Sequence, residues 1–458
     1  MKKYLLFLIG LFLFLPVMAQ TDEGSDDAEI VEASDESLSD IDNKVVLHRY
    51  KMGDGLRLTT QGGNKLVISG MVQTSVESRR FEDVDQMYNR FRVRRARVRF
   101  DGSVYHDKLR FRLGLDLVKG SETDDDSGSL LMDAYAAYRP WGSKLVVSFG
   151  QRSTPTDNYE LQMSSHTLQF GERSKITSAF STIRELGVFA ESSFRVGSKG
   201  LLRPAIAITD GSGPISEGKR YGGLKYGSRL DYLPFGAFRS MGGSREGDMA
   251  YELTPKLSVG IAYSYADGTS DRRGGRSNGD ILYMNDRDEI DLPDYAKLVA
   301  DFAFKYRGFS MLGEYAKTWG YVPSSITKRV RNDGTTATTF DVNGEQNVEA
   351  YIKNRMMLGQ GFNIQAGYML RSLWSFDLRY TYLKPDEYSY MNNNLYFNRH
   401  NFYDFSVSKY LTRNYAAKIQ LTVGLALRLQ WIGSIAASLL ILLSVGLYKD
   451  NNRNEHRY

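Results

Sequence analysis

The chain has 458 residues, no cysteine, ten prolines, 43 glycines, 30 tyrosines, 23 phenylalanines and a formal net charge of +5. Without cysteine there is neither a disulfide framework nor a thioether lipid anchor. Mean hydropathy is −0.39, and between the leader and residue 429 there is no long uncharged apolar run, which excludes a helical membrane protein for most of the length.

In chain order, Lys2 and Lys3 precede the apolar stretch Tyr4–Leu15 and the small-residue site Val17-Met18-Ala19. This predicts a secretory signal peptide over 1–19. Residues 20–44 are expected to form an acidic, unfolded leader: 22–42 hold ten acidic residues, no basic one and no aromatic, too little apolar surface to fold. Subtracting Lys2, Lys3 and those ten acids from the net +5 leaves +13 for 44–458, a basic body.

Residues 109–117 read LRFRLGLDL: apolar side chains at every odd position, Arg110, Arg112, Gly114 and Asp116 between them. Strict alternation over nine residues marks a strand with one apolar face, near the length that spans a bilayer. The preceding stretch, FRVRRARVRF (91–100), has the same pattern, but its phase flips between Arg94 and Arg95. A β-bulge there restores one face, with Arg92, Arg94, Arg95, Arg97 and Arg99 sharing the polar side and Val104–Lys108 as the turn. In a soluble sandwich such arginines would face water; in an outer-membrane barrel the apolar face meets lipid and the arginines line the lumen.

The same pattern predicts strands near 65–77, 91–104, 108–118, 131–139, 144–152, 185–196, 200–208, 222–232, 256–266, 294–306, 309–319, 359–370, 373–383, 400–411 and 415–431. Short turns at 139–143, 197–200, 307–308, 371–372 and 411–414 alternate with long polar connections at 119–130, 153–184, 267–293 and 320–358. Short turns on one rim and long loops on the other is the asymmetry of an outer-membrane barrel. The expected fold is therefore all-β, a transmembrane antiparallel β-barrel over 45–448. Since closure favours an even count, a sixteenth strand is inferred.

Longer segments resemble one family. RFRVRRARVRFDGSVYHDKLRFRLGLDL (90–117) is similar to the early Arg-rich hairpin of the phosphate-selective porin O and P family. In VSFGQRSTPTDNYELQMSSHTLQFGERSKITSAFSTIRELGV (147–188), Gly150-Gln151, Pro155, Glu160, Ser164, Phe170, Glu172-Arg173-Ser174, Phe180 and Arg184–Val188 fall in the family's order and spacing. PFGAF (234–238), TPKLSVG (254–260), GFSMLGEY (308–315) and FNIQAGYML (362–370) also match. The likeness covers about 60–423, in the style of Bacteroidetes members. It implies a sixteen-stranded homotrimeric porin of a Gram-negative outer membrane, with loops folded into the lumen and passing phosphate, polyphosphate or other small anions. It also makes 153–184 the constriction loop, with Glu172, Arg173, Lys175 and Arg184 among its charged members.

Arginine suits an anion path because its planar fork donates two parallel hydrogen bonds to phosphate. The expected lumen path is Arg92, Arg94, Arg95, Arg97, Arg99, Arg110 and Arg112, extended by Lys225, Arg229, Lys297, Arg379 and Lys418. The same arginines could instead pair with Asp101, Asp116 and Asp133 and stiffen the wall. Tyr138, Trp141, Trp319, Tyr321, Trp374 and Tyr410 suit interfacial aromatic girdles. The five histidines lack metal spacing, so no metal or cofactor is expected, and no nucleic-acid partner. A general porin without selectivity, a surface adhesin using 267–293 and 320–358, and a barrel enzyme built on His166 in SSHT are the competing functions.

The C-terminus departs from the family. Residues 429–448 carry no charge, about the length of a membrane helix, yet Ile435, Ala437, Leu439, Ile441, Leu443, Val445 and Leu447 keep the alternation of a strand. The segment 424–448 is atypical, an altered reading frame would also produce it, and 449–458 is a polar tail.

Overall fold

The computed structural model describes residues 28–32, 44–81, 84–118, 130–211, 222–269, 282–331, 334–393, 399–427 and 434–443. The signal peptide and the polar tail lie outside the described residues.

The wall strands are β1 (Lys65–Phe81), β2 (Val84–Val104), β3 (Leu109–Asp116), β4 (Leu131–Tyr138), β5 (Leu145–Ser153), β6 (Arg184–Ser192), β7 (Gly200–Thr209) and β8 (Lys225–Leu233). They continue as β9 (Lys256–Ala266), β10 (Asp294–Tyr306), β11 (Phe309–Tyr321), β12 (Gly359–Met369), β13 (Trp374–Pro385), β14 (Asn401–Tyr410), β15 (Ala417–Leu427) and β16 (Ser434–Leu443). Each pairs antiparallel with the next. β16 also pairs with β1, from Ala436↔Arg79 to Leu443↔Val72. The uncharged C-terminal segment, open between strand and helix on sequence, thus contributes a strand over 434–443.

The alternation is inverted relative to a soluble protein. Phe91 is 87% exposed, Phe149 66% and Leu378 62%, while Gln73, Arg95, Asp301 and Asp377 on the opposite faces are buried. Apolar side chains left bare around a sheet whose polar face is covered are what a lipid-facing wall requires. The expected bulge is present: Gln73 pairs with Arg95 and Thr74 with Val93, so Arg94 is the extra residue. The turn after β2 has Tyr105, His106 and Asp107 all at positive φ. Asp107 secures it, accepting from Arg110 Nε at 2.8 Å and Arg139 Nη1 at 2.5 Å.

Three features were not anticipated. Ala28–Glu32, inside the leader expected to be unfolded, pairs with Lys44–His48, matching Ile30 to Val46 and Val31 to Val45. Lys44–His48 in turn pairs with Leu56–Thr60, which pairs with the first residues of β1. Third, the connection 234–255 leaves from the short-turn rim yet buries Phe238, Glu246, Asp248, Met249 and Glu252. It turns into the interior.

Candidate functional site: the lumen and its folded loops

Residues 153–184 cross the interior. Two 3₁₀ turns (Tyr159–Gln162 and Ser165–Thr167) and the short helix Lys175–Phe180 carry the segment. Ser174 caps that helix, its hydroxyl accepting from the Thr177 N–H, the usual role of an N-cap serine. The segment's apolar side chains rest on an apolar lumen patch. Ile176, Ala179 and Phe180 pack with Ala262, Val299, Ala316 and Leu383, and Tyr159, Met163 and Leu168 with Leu233, Phe238, Ala303 and Leu312. Each fully buried large side chain contributes about 1.5–3 kcal/mol.

Polar contacts then tie the loop around the wall. Lys297 Nζ meets Asp157 Oδ2 at 2.5 Å. Arg229 donates to the Asp157 carbonyl at 2.8 Å and to Asp301 at 2.6–2.7 Å. Glu314 accepts the Glu160 N–H at 2.7 Å, Lys418 donates to the Leu168 carbonyl at 2.8 Å, and Arg379 to the Glu172 carbonyl at 2.9 Å. Burial works to raise Asp157, but Lys297 and Lys225 outweigh it and hold the carboxyl below its ordinary value. The five residues expected to extend a basic path are buried; four of them brace this loop, and Lys225 pairs instead with Glu185 at the root of β6.

The loop meets the arginine comb at the bulge. Two consecutive arginines on one face is not a strand geometry; the extra residue allows it. Arg94 Nη2 donates to Glu172 Oε2 at 2.7 Å, and Arg95 reaches the same oxygen at 3.4 Å, the Gly171 carbonyl at 3.1 Å and Gln73 at 2.6 Å. Partial desolvation would raise Glu172, but Arg95 and Arg94 hold it below the ordinary range. Arg97 is spanned between Asp116 at 2.7 Å and Ser165 Oγ at 2.6 Å. Arg173 clamps its own loop through the Glu160 and Met163 carbonyls, Arg184 donates to Asp133 at 2.9 Å, and Lys175 lies 5.7 Å from the Phe402 ring centre.

Arg99 and Arg112 stay partly open and share one carboxylate, Asp101, at 2.7 and 2.5 Å. Arg112 and Arg152 flank the Tyr135 ring at 5.7 and 5.2 Å. Arg92 has no ion pair among the described residues. Arg110 belongs to the turn: its hydrogen bonds, with burial opposing them, hold Asp107 down to about 2. The acids Asp101, Asp116 and Asp133, weighed on sequence as wall partners, do pair with Arg99 and Arg112, Arg97, and Arg184 respectively.

Of the six aromatics expected in a girdle, Tyr138, Trp141, Tyr321 and Trp374 are exposed and Trp319 is half-buried, whereas Tyr410 is buried beside Tyr415 and Lys418. Tyr410 sits one residue before the turn, on the inward parity of β14. His166 Nδ1 lies 2.8 Å from Ser164 Oγ, yet the charged groups acting on the ring are Arg99, Arg245, Arg97 and Lys418. A nucleophile–base pair needs a third group, normally a carboxylate, to orient the base; among the described residues no carboxylate is hydrogen-bonded to His166. No cluster of three or more metal-ligating side chains occurs among the described residues.

The link between the two inward segments had no sequence signal. Ser164 N–H donates to the Ser244 carbonyl at 3.1 Å and Gln169 N–H to Glu246 Oε2 at 2.6 Å. Only the inward course of 234–255 brings these residues together.

Among solved structures, similar chains include the outer membrane channel DcaP of Acinetobacter baumannii, 12% identical, covering 84% of this chain and 99% of that one, TM-score 0.47. OmpT of Vibrio cholerae is 8% identical over 83% and 98%, TM-score 0.45, and a mutant of Rhodopseudomonas blastica porin 11% identical over 83% and 100%, TM-score 0.41. No curated protein matches the chain. The fold stands on the strand pairing and the bare apolar face. Residues 68–276, which hold the comb, the inward loop and the inward turn, match the model of the phosphate-selective porin O and P family, and over that stretch the chain is similar to an outer-membrane porin.

Proposed function

We propose that the protein conducts small anions, phosphate foremost, through a sixteen-stranded barrel past the open side of the arginine comb. The observation that carries this reading is a pair of open arginines on the wall. Arg99 and Arg112 share the single carboxylate Asp101, and their side chains are 36% and 34% exposed. Partly hydrated guanidinium groups on a wall lower the cost of stripping water from an anion while still releasing it. The Arg94, Arg95 and Arg97 side chains instead hold the loop that narrows the lumen. Assembly as a homotrimer belongs to the same reading and is checked by cross-linking of the protein in native membranes.

The test is the reversal potential of the refolded protein in a planar bilayer under a potassium chloride gradient, repeated with phosphate added. The expected result is anion selectivity, chloride current reduced by phosphate, and both effects weakened in Arg99→Ala/Arg112→Ala. A channel without ion preference would make it a general porin with a charged but unselective wall.

A further inference from the structure

We propose that the outward face at the loop end of β11, β12 and β13 binds the phosphorylated head group of an outer-leaflet lipid, through Lys317, Gln360 and Lys384. This inference rests on the outer-membrane reading, not on anion conduction. Lys317 pairs with Gln360 across β11–β12, and Gln360 with Lys384 across β12–β13. The three therefore stand in one row, and with strands about 4.8 Å apart the two lysines are about 10 Å from each other. All three point away from the lumen: Tyr315 and Tyr321 share the parity of Lys317, Phe362 and Ile364 that of Gln360, and Phe376 and Leu378 that of Lys384, all exposed.

Below the row lies an aromatic sheet. Phe362 contacts Tyr380 at 5.6 Å and Tyr382 at 5.8 Å, and Tyr380 stacks on Tyr403 at 4.8 Å. Aromatic side chains there are the girdle that marks the head-group level. Tyr315 donates its hydroxyl to Gln360 Oε1 at 3.0 Å, which leaves the amide N–H groups of Gln360 as donors to an acceptor in the row. Lys317 lies 5.2 Å over Trp319. Neither Lys317 nor Lys384 makes an ion pair among the described residues. The acids on this side include Asp386, which feels Lys317, Lys353 and Lys384, its exposed neighbour Glu387, and Glu349, which is taken by Lys353 at 2.5 Å. Two outward lysines without ion pairs among the described residues, beside a donor amide and above an aromatic floor, complement a lipid whose acyl chains lie on the wall and whose phosphate sits at its rim. On the opposite rim, Lys409 donates to the Ser372 carbonyl at 2.6 Å and lies 5.3 Å over Trp374, a lone girdle lysine already partnered.

The test uses the full chain in phosphatidylcholine vesicles doped with lipid A bisphosphate or with its dephosphorylated form, and weighs by mass spectrometry the lipid kept after mild detergent extraction. Wild type should retain the bisphosphate about tenfold or more over the dephosphorylated lipid, and Lys317→Gln/Lys384→Gln should abolish that preference. Lys409→Gln should leave it intact. Equal retention of both lipids, or an unchanged double variant, overturns the proposal; so does complete displacement by millimolar inorganic phosphate, which would make the row a site for the free ion. Single-channel conductance, recorded on the same preparations, shows that each variant is folded. A wild type without conductance would sink the porin reading while leaving the lipid result to stand or fall separately.

Discussion

Gln169 and Glu246 reach each other from opposite rims: the Gln169 N–H donates to Glu246 Oε2 at 2.6 Å. One sits in the loop after β5, the other in the connection after β8, so the interior is crossed by a strut made of two segments. Replacing Glu246 with Ala would strand a buried N–H, at a cost of about 1–3 kcal/mol. Trypsin cleavage of folded protein after Arg173 or Lys175 should then speed up. Unchanged cleavage would mean that the loop is held by the wall alone.

The strut also carries two opposed proton sites. Burial, with Glu160 adding to it, pushes Glu246 up to about 7; burial, then Arg99, Arg245 and Arg97, push His166 down to about 4. A raised carboxyl favours the docked state below its ordinary value of 4.5, and that contribution fades as pH rises through about 7. A depressed imidazole favours docking above 6.5, and that contribution is lost as pH falls toward 4. Between about pH 4.5 and 6.5 the two oppose each other, so loop protection in wild type should be nearly flat. Glu246→Gln should show docking that weakens as the pH drops below 6.5. His166→Asn should show docking that strengthens over the same range. Parallel pH profiles in all three proteins would refute the assignment.

Glu172 is a carboxylate shared by Arg94 and Arg95. Glu172→Gln should remove about 1 kcal/mol of loop attachment, discounted for its 44% exposure, and add one uncompensated positive charge beside the constriction. The expected channel is noisier and more anion-selective than wild type. A shift of reversal potential toward cations would contradict the role given to the comb.

The wall was legible in the sequence because lipid on one side and charge on the other enforce a period of two. The bulge at Arg94 was legible for the same reason, as a break in that period. The loop's seat was not. Val299, Ala303, Leu312 and Ala316 are apolar on the lumen side, where the simple code expects polar residues, because the inward loop forms a second core there. The turn 234–255 reads as a modest connection, since nothing in its composition says that Glu246 will meet Gln169. Arg94 to Arg97 were recognisable as lumen groups, but whether they face an ion or a loop depends on contacts more than 60 residues away in sequence.

Gly367 marks where the loop presses on the wall. A Cβ there would lie 2.1 Å from Gln169 Nε2 and 2.0 Å from Asp377 Oδ1. Those two atoms are themselves hydrogen-bonded at 2.6 Å. Gly367→Ala should therefore expel the Gln169 side chain while β12 still forms, leaving a folded barrel with a displaced loop and a larger single-channel conductance. Wild-type conductance in this variant would mean that the Gln169 seat does not limit the opening.

The Asp157–Lys297 pair tests how much of the assembly depends on the loop. Both side chains are 2% exposed, and their charged atoms are 2.5 Å apart. Asp157→Ala leaves an ammonium group buried without its partner, a cost of about 3–5 kcal/mol, whereas replacing both ends with apolar groups of similar volume is often neutral or better. Asp157→Leu/Lys297→Met should thus recover most of the stability that Asp157→Ala loses, read as the temperature at which the folded band disappears on unheated gels. If the double variant is as fragile as the single one, the pair contributes through geometry that leucine and methionine cannot reproduce, such as the hydrogen bond from Lys297 to the Phe180 carbonyl at 3.1 Å.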